Sequence, residues 1–214
     1  GPVAGPSCSV AQLEGAMDST LARTSSDVDF SFSVERQDGR RYTYNRGGST
    51  LLTPYESAST SKMVSAVIIL RLVEQGYLNL SDRPQDHIPA WPIGSGNSLY
   101  GMTLAQLLSF TSGLTDEPSF LTSCLNHPND DFETCVISLA TYNANKGRIP
   151  GQEFYYASTH LQVAGLMAVK ARGVITWQEV FTEFKTQTGL FPTSTYDLPS
   201  ATNPRLAGGM HWTG

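Results

Sequence analysis

The pattern of apolar and polar residues in the first part of the chain predicts one helix followed by two strands. Apolar residues recur every three or four positions over residues 11–23, which is the period of an amphipathic helix. Residues 28–34 alternate strictly between apolar and polar, which predicts a strand with one buried face. The stretch "RQDGR" at residues 36–40 predicts a tight turn, so residues 41–46 should return as an antiparallel partner strand.

Helical patterns dominate the remainder of the chain. Apolar runs bounded by capping pairs or by glycine predict helices over residues 62–75, 103–110, 132–145, 159–172 and 176–188. Residues 81–101 contain several prolines and glycines and predict a loop. Strands followed by helices are typical of the α+β class, here with a helical region inserted after the first two strands.

Composition excludes two classes of protein. The 214 residues are 40% hydrophobic and 15% charged, which is typical of a globular protein. The formal charge is −5 and the basic residues are scattered, so no nucleic-acid-binding surface is expected. No apolar run is long enough to span a bilayer, so no membrane span is expected either.

The three cysteines bear on the compartment of the protein. Cys124 and Cys135 flank a polar loop that a disulfide could close, which leaves Cys8 over. Because disulfides are typical of oxidising compartments, we expect a secreted or periplasmic protein, although residues 1–10 do not resemble a signal peptide. Cys124, His127 and Cys135 would also offer three metal ligands, but their spacing matches no standard zinc pattern, and we predict no metal.

The stretch "SASTSKMV", residues 57–64, places a group of hydroxyls directly before a long apolar run and beside one of the few lysines. If the helix begins near Ser59, the Lys62 amine lies one turn away and can reach the Ser59 hydroxyl. The N–H groups at the helix start could stabilise an oxyanion, and a partly desolvated lysine is a usable base. The alternative is that Ser57 or Ser59 is an ordinary helix cap.

Several motifs, in order along the chain, resemble those of the serine β-lactamase and penicillin-recognising hydrolase superfamily. They are S-x-x-K at 59–62, "GYLNLSD" at 76–82, "LLSFTSGL" at 107–114, "PGQEFYYAS" at 150–158 and "LAGGMHWTG" at 206–214. The likeness is greatest to the class C-like branch, which includes esterases, D-aminopeptidases and D-alanyl-D-alanine carboxypeptidases. Phe110 stands where that branch usually has histidine.

The resemblance implies a role for each matching residue. Ser59 matches the nucleophile, Lys62 its lysine partner, and Tyr156 the tyrosine that takes or returns the proton. A phenolate beside a lysine ammonium should have its pKa lowered from about 10 toward the working range. Ser158 stands where asparagine is usual, so a shorter hydroxyl replaces a substrate-binding amide.

Other candidate motifs have simpler interpretations. "SGN" at residues 95–97 looks like a motif of other penicillin-recognising branches, but its proline- and glycine-rich surroundings indicate a turn. The histidines match neither a catalytic triad nor a metal-binding signature, so we expect surface or hydrogen-bonded structural residues.

The same resemblance implies a β-lactamase/transpeptidase-like α+β fold, with an antiparallel sheet flanked by helices and a mostly helical region beside it. We divide the chain into residues 1–58, with the first helix and two strands; 59–200, with the S-x-x-K and tyrosine motifs; and 201–214, which returns toward the sheet. The family's third motif, a K-T-G-like strand, has no clear counterpart. We therefore expect the C-terminal strands to be missing from this chain, and a C-terminal segment or a second chain to complete the fold.

The expected function is that of a serine hydrolase that acts through an acyl-enzyme on esters, small amides or related acyl compounds. Its expected partner is a small-molecule acyl substrate, and no cofactor is expected. A β-lactamase or D-alanyl-D-alanine carboxypeptidase is the alternative within enzymes. A binding or sensor relative that is acylated without turnover is the alternative outside them.

Overall fold

In the computed structural model the chain forms two compact units. The structure describes residues 8–25, 28–115, 132–146, 148–196, 199–200, 203–207 and 211–212. One unit comprises residues 1–54 with 213–214, and the other comprises residues 55–212. The second unit contains every residue to which the sequence assigns a role in the site.

The N-terminal unit is a helix beside a two-stranded hairpin. Helix α1 (Val10–Arg23) begins with a capping box, which satisfies two of the N–H groups left unpaired at a helix start. Strands β1 (Phe30–Glu35) and β2 (Arg41–Arg46) pair antiparallel over their whole length. Gly39 in the intervening turn has φ +84°, a conformation that a side chain would strain. The predicted helix and both predicted strands are confirmed to within two residues.

The second unit is mostly helical. Its first elements are β3 (Tyr55–Glu56), a 3-10 turn (Ala58–Thr60), α2 (Ser61–Glu74), α3 (Pro84–His87), a 3-10 turn (Ser98–Gly101), α4 (Leu104–Leu108), α5 (Phe132–Ala144), α6 (Thr159–Arg172) and α7 (Trp177–Thr188). The predicted helices are present. The predicted loop over 81–101 is wrong in part, because it contains α3 and the second 3-10 turn. Pro84 begins α3, where proline's missing N–H leaves no helical hydrogen bond unmade.

Helix α6 is the centre of the second unit and packs against α2, α3, α4, α5 and α7. Its Leu166 and Met167 join Ile68 and Ile69 of α2 and Phe181 of α7 in one core, and each of these side chains is at most 1% exposed. Burying an apolar side chain of this size contributes about 1.5–3 kcal/mol. The core therefore fixes the helices from which the candidate site is built.

Short strand pairs occur near the end of the described chain. Strand β3 pairs antiparallel with β6 (His211–Trp212), and β4 (Pro199–Ser200) pairs with β5 (Asn203–Ala207). The first pair places the stretch that leads into Ser59 beside residues 211–212.

The cysteines divide as one bonded and one free within the described residues. Cys135, buried on α5, is disulfide-bonded, whereas Cys8 is exposed and free. The predicted partner Cys124 lies outside the described residues, and so does His127. Elsewhere in the described ranges no cluster of three or more His, Cys, Asp or Glu side chains could hold a metal ion. No helix in those ranges is both long and apolar enough to cross a membrane.

Candidate active site

Ser59 and Lys62 lie at the start of α2 and are hydrogen-bonded to each other. The chain enters the helix through the 3-10 turn Ala58–Thr60, so the predicted helical path begins as a tighter turn at Ser59. Lys62 Nζ donates to Ser59 Oγ over 3.0 Å. Ser59 is exposed and Lys62 is half-buried, so a substrate can reach the hydroxyl while the amine supports it from one side.

The neighbouring hydroxyl of Ser61 holds the turn that leads into the helix. Ser61 Oγ donates to the Ala58 carbonyl over 2.6 Å. Ala58 needs this support because its φ is +43°, and a left-handed conformation costs an alanine about 1–2 kcal/mol. Thr60 is the N-cap of α2, and neither its side chain nor that of Ser57 makes a capping hydrogen bond. Since Ser59 lies inside the 3-10 turn, the alternative that Ser57 or Ser59 is an ordinary helix cap is wrong.

Tyr156 reaches the same pair from the irregular segment that precedes α6. Its ring centroid lies 5.1 Å from Lys62 Nζ. A hydrogen bond from the Ser59 hydroxyl lowers the pKa of Tyr156 below its ordinary 10.0, and the hydrogen bond and charge of Lys62 lower it further, while desolvation partly opposes both. The structure thus brings together a hydroxyl that can attack, a phenol that can exchange its proton, and an ammonium beside both.

Phe110 connects the end of α4 to Tyr156. It follows the C-cap Ser109 with φ +59°, in the position where glycine is the usual residue. A left-handed conformation costs a bulky residue about 1–2 kcal/mol, so something else must retain phenylalanine here. The ring centroid of Phe110 lies 5.3 Å from that of Tyr156 and 6.0 Å from that of Phe154. The departure from histidine at 110 marks the position in the sequence, but nothing local predicts the contact with Tyr156.

His160 is fully buried behind Phe110, with the two rings edge to face at 5.3 Å. Its Nε2 lies 2.8 Å from the Tyr155 carbonyl oxygen, and its Nδ1 lies 2.9 Å from Ser112 Oγ. A carbonyl oxygen can only accept, so Nε2 donates and Nδ1 accepts from the serine hydroxyl. His160 is therefore a hydrogen-bonded structural histidine, in agreement with the sequence prediction.

Tyr196 supports the first turn of α2 from behind, and sequence analysis does not identify it. Its hydroxyl lies 2.8 Å from Ser65 Oγ and donates to the Ser61 carbonyl over 3.2 Å. The ring packs edge-on against Trp177 and Phe181, and burial raises the pKa of Tyr196 to about 12. Because Ser65 and Tyr196 are 131 positions apart, no local pattern could have found this support.

Ser158 lies just beyond Tyr156 and directly precedes α6. It is half-buried, and its side chain does not cap the helix. The glycine-pair motif at 206–214 falls largely outside the described residues.

The "SGN" stretch at residues 95–97 is a turn, as predicted. Asn97 uses its side chain structurally, because Oδ1 accepts from the Leu99 N–H over 2.9 Å and Nδ2 donates to the Ala144 carbonyl over 2.7 Å. This amide is therefore committed to the fold rather than to a substrate.

Known proteins share sequence with much of this chain. A family model described as Beta-lactamase matches residues 34–213. "Protein flp" of Staphylococcus aureus (strain COL) is 33% identical over 119 residues, which are 54% of this chain and 22% of that protein. The chain therefore spans about a fifth of this curated relative.

Solved structures share the fold. A "Beta-Lactamase/D-Alanine Carboxypeptidase" from Pseudomonas syringae superposes with a TM-score of 0.68 at 14% identity, covering 95% of this chain and 62% of that one. A "D-stereospecific amidohydrolase" from Streptomyces sp. superposes with a TM-score of 0.65 at 20% identity, covering 95% of this chain and 69% of that one. The predicted fold class is confirmed, and the chain corresponds to part of the fold in each case.

Proposed function

Since the chain belongs to the beta-lactamase family, we propose that it is a serine hydrolase that acts through an acyl-enzyme on esters, small amides or related acyl compounds. The observation that supports this proposal is the hydrogen bond from Lys62 to Ser59, with the Tyr156 ring 5.1 Å from the same lysine nitrogen. An accessible hydroxyl next to a phenol of lowered pKa has both the nucleophile and the base that acyl transfer needs.

In the proposed acylation, Ser59 Oγ attacks the carbonyl carbon of the substrate while the Tyr156 phenolate takes the serine proton. The Lys62 ammonium stabilises the phenolate before the transfer and orients the serine oxygen by its hydrogen bond. The bond to the leaving group then breaks, and Tyr156 returns the proton to the departing alcohol or amine. The product of this step is an ester between Ser59 and the acyl group.

In the proposed deacylation, water attacks the carbonyl carbon of that ester and Tyr156 takes a proton from the water. The bond to Ser59 Oγ breaks, and Tyr156 returns the proton to the serine oxygen. The Ser59 backbone N–H, at the start of the helical path, is proposed to supply half of the oxyanion hole in both steps.

Ser158 supports a preference for esters over β-lactams. An asparagine side chain donates and accepts at once, and it can hold the amide beside the scissile bond of a β-lactam or a peptide. Ser158 has one hydroxyl and a shorter reach, so that contact is lost or passes through water. Esters without such an amide lose nothing by the change. The alternative, a β-lactamase or D-alanyl-D-alanine carboxypeptidase, is supported by the likeness to the Pseudomonas syringae structure.

Labelling with a fluorophosphonate probe, followed by mass mapping, tests the nucleophile. We expect the label on Ser59 and its loss in Ser59→Ala. Ser57→Ala and Ser138→Ala are matched controls that should keep the label, since Ser138 is an exposed serine on α5. A label mapped to any other serine would refute the assignment.

Steady-state turnover of two chromogenic compounds tests the substrate class. We expect a larger kcat/KM for p-nitrophenyl butyrate than for nitrocefin. A larger value for nitrocefin would replace the esterase proposal by the β-lactamase alternative. Labelling of Ser59 without turnover of either compound would favour the sensor alternative.

We also propose that further residues, in a C-terminal segment or a second chain, complete the fold. On α2 the side chains of Met63, Val67 and Leu70 follow one another at helical spacing and are 66%, 46% and 45% exposed. An apolar stripe beside the candidate nucleophile is the kind of surface that more protein normally covers. An intact mass of the native protein near 23.2 kDa, with full activity, would contradict this proposal.

The Cys135 disulfide supports the proposal of a secreted or periplasmic protein, because cytosolic thiols are kept reduced. Fractionation of the native host, with free thiols blocked during lysis, would test it. Recovery in the cytosolic fraction with a reduced Cys135 would refute the proposal.

A further inference from the structure

We propose that Phe110 is a positioning residue for Tyr156, holding the segment before it through the backbone and its ring through direct contact. The inference rests on the proposed function, because it assigns Phe110 a task only if Tyr156 exchanges protons with Ser59. Phe110 would act through Tyr156 and would not itself contact the substrate.

The backbone at Phe110 has the geometry of a glycine-type helix end. The Thr111 N–H donates to the Gln106 carbonyl over 2.8 Å and the Phe110 N–H donates to the Leu107 carbonyl over 3.3 Å, which together form a Schellman motif. Positive φ at non-glycine residues is confined, within the described ranges, to Ala58, Phe110 and Phe191. Strain of this kind persists where the surroundings impose it, and it is frequent next to functional groups.

The same turn holds the segment that contains Tyr156. The Tyr155 N–H donates to the Phe110 carbonyl over 2.8 Å, and the Gly151 N–H donates to the Thr111 carbonyl over 2.7 Å. Residues 151–155 are thus hydrogen-bonded to the end of α4. The backbone just before Tyr156 is fixed by the residue whose ring also contacts it.

The ring of Phe110 contacts both Tyr156 and the buried His160. Its centroid is 5.3 Å from each of the two neighbouring rings. His160 is buried and hydrogen-bonded to Ser112 and to the Tyr155 carbonyl, so the Phe110 ring packs against a side chain whose two ring nitrogens are both held.

A glycine at 110 would relieve the backbone strain and keep the hydrogen bonds, but it would remove this contact. Because Tyr156 is 53% exposed, packing covers only part of its side chain, and we expect loss of the Phe110 contact to let the ring move away from Ser59.

The test compares Phe110→Gly with Phe191→Gly. Phe191 is a matched control, since it has φ +53° and its ring stacks on Phe184 rather than on Tyr156. With p-nitrophenyl butyrate we expect Phe110→Gly to lower kcat about 10- to 100-fold with KM changed less than about threefold, as misplacement of a reacting group does. The acid limb of the kcat/KM profile should move to higher pH. Phe191→Gly should keep the wild-type limb, and Phe110→Tyr should restore the wild-type kcat because it retains a ring.

A second readout does not depend on turnover. In protein labelled with ¹³C at the tyrosine ring carbon that bears the hydroxyl, Tyr156→Phe identifies the Tyr156 resonance, and its titration midpoint can be followed in each variant. We expect the midpoint to rise in Phe110→Gly and to stay in place in Phe191→Gly. If Phe110→Gly does not fold by circular dichroism, Phe110→Leu, which keeps bulk without an aromatic ring, takes its place with the same expectation.

The outcomes separate the two proposals. An unchanged midpoint in the folded Phe110 variant would overturn the positioning role whether or not the protein hydrolyses esters. Labelling of Ser59 in the wild type, together with an unchanged kcat and pH profile in Phe110→Gly, would overturn the positioning role and leave the proposed function standing. Failure of the wild type to label at Ser59 would count against the proposed function, while a raised midpoint would still support the positioning of Tyr156.

Discussion

The candidate site has two parts that are positioned in different ways. One is the Ser59–Lys62 pair, and the other is Tyr156. Ser59 and Lys62 are three residues apart on one continuous turn and helix, so Lys62 Nζ reaches to within 3.0 Å of Ser59 Oγ. Tyr156 lies in an irregular segment, and Phe110 of a distant part of the chain holds both the backbone before it and its ring.

This difference separates what is robust in the site from what is sensitive. A helix repeats its geometry, so a serine and a lysine one turn apart lie on the same face and can reach each other. The tyrosine is in place only when the end of α4 and the start of α6 are both correctly packed. Distant substitutions should therefore disturb the base more readily than the nucleophile.

The largest effect is expected at the Ser59 hydroxyl, to which both Lys62 and Tyr156 are directed. Ser59→Ala removes the proposed nucleophile and should lower kcat for p-nitrophenyl butyrate by at least about 10⁴-fold, as loss of a serine nucleophile does elsewhere. The thermal unfolding midpoint should change little, because Ser59 is exposed and lies outside the core. Residual activity above about 1% of wild type would mean that another group attacks the substrate.

The next largest effect is expected from substitutions that compare Lys62 with Tyr156 directly. Lys62→Ala and Tyr156→Phe should each lower kcat about 100-fold, since each removes part of the proton-transfer group. The increase in activation free energy in the double variant should be smaller than the sum of the increases in the two single variants, because the effects of residues that act as a unit are not additive.

The chain offers a matched control for this pair. Lys146 Nζ donates to Tyr142 Oη over 2.8 Å, so Lys146→Ala and Tyr142→Phe break a lysine–tyrosine pair that lacks a serine. Both variants should retain wild-type kcat. Full additivity in the Lys62 and Tyr156 double variant would show that these two residues do not act together in one mechanism.

A smaller effect is expected at Ser158, which follows Tyr156 and directly precedes α6. Ser158→Asn should raise kcat/KM for nitrocefin about tenfold relative to that for p-nitrophenyl butyrate, the value of one recovered hydrogen bond of about 1–1.5 kcal/mol. Ser138→Asn, an exposed change on α5, should leave the ratio unaltered. An unchanged ratio in Ser158→Asn would remove this residue from substrate recognition.

The smallest effect expected is a shift in pH dependence. Tyr156 must be a phenolate to act as the base, so kcat/KM should fall as the pH falls through its pKa, which Ser59 and Lys62 hold below 10.0. Lys62→Met removes one of the influences that lower the pKa of Tyr156, so this pKa should rise and the acid limb should move to higher pH.

Tyr42 provides the contrast for the pH experiment. Burial raises the pKa of Tyr42 to about 12, with a further contribution from its hydrogen bond to Asp18. Tyr42→Phe should therefore leave the limb where it is. A limb that stays in place in Lys62→Met as well would show that the titrating group is not Tyr156.

The sequence predicts most of the geometry of the Ser59–Lys62 pair and little of what positions Tyr156. The S-x-x-K spacing places Lys62 against Ser59, and glycines mark the ends of α6 and α7 where the structure has them. The 3-10 entry is not predictable from spacing, because it depends on the left-handed Ala58 and its hydrogen bond from Ser61.

Long-range contacts explain what the sequence does not predict. A left-handed phenylalanine at 110 contradicts the local preference for glycine, and only the packing of Tyr156 and His160 gives a reason for it. Tyr196 likewise supports α2 across 131 positions. Such contacts leave no trace in apolar periodicity, which reports one element at a time.

We expect the exposed stripe of Met63, Val67 and Leu70 also to lower the solubility of the 214-residue chain. Copies with a net charge of −5 repel one another only over about 8 Å in physiological salt, whereas apolar patches attract at contact. Concentrated solutions should therefore turn turbid as salt is added, and more so with sulfate, which strengthens apolar association. Dilute buffers of low ionic strength should keep the molecules dispersed.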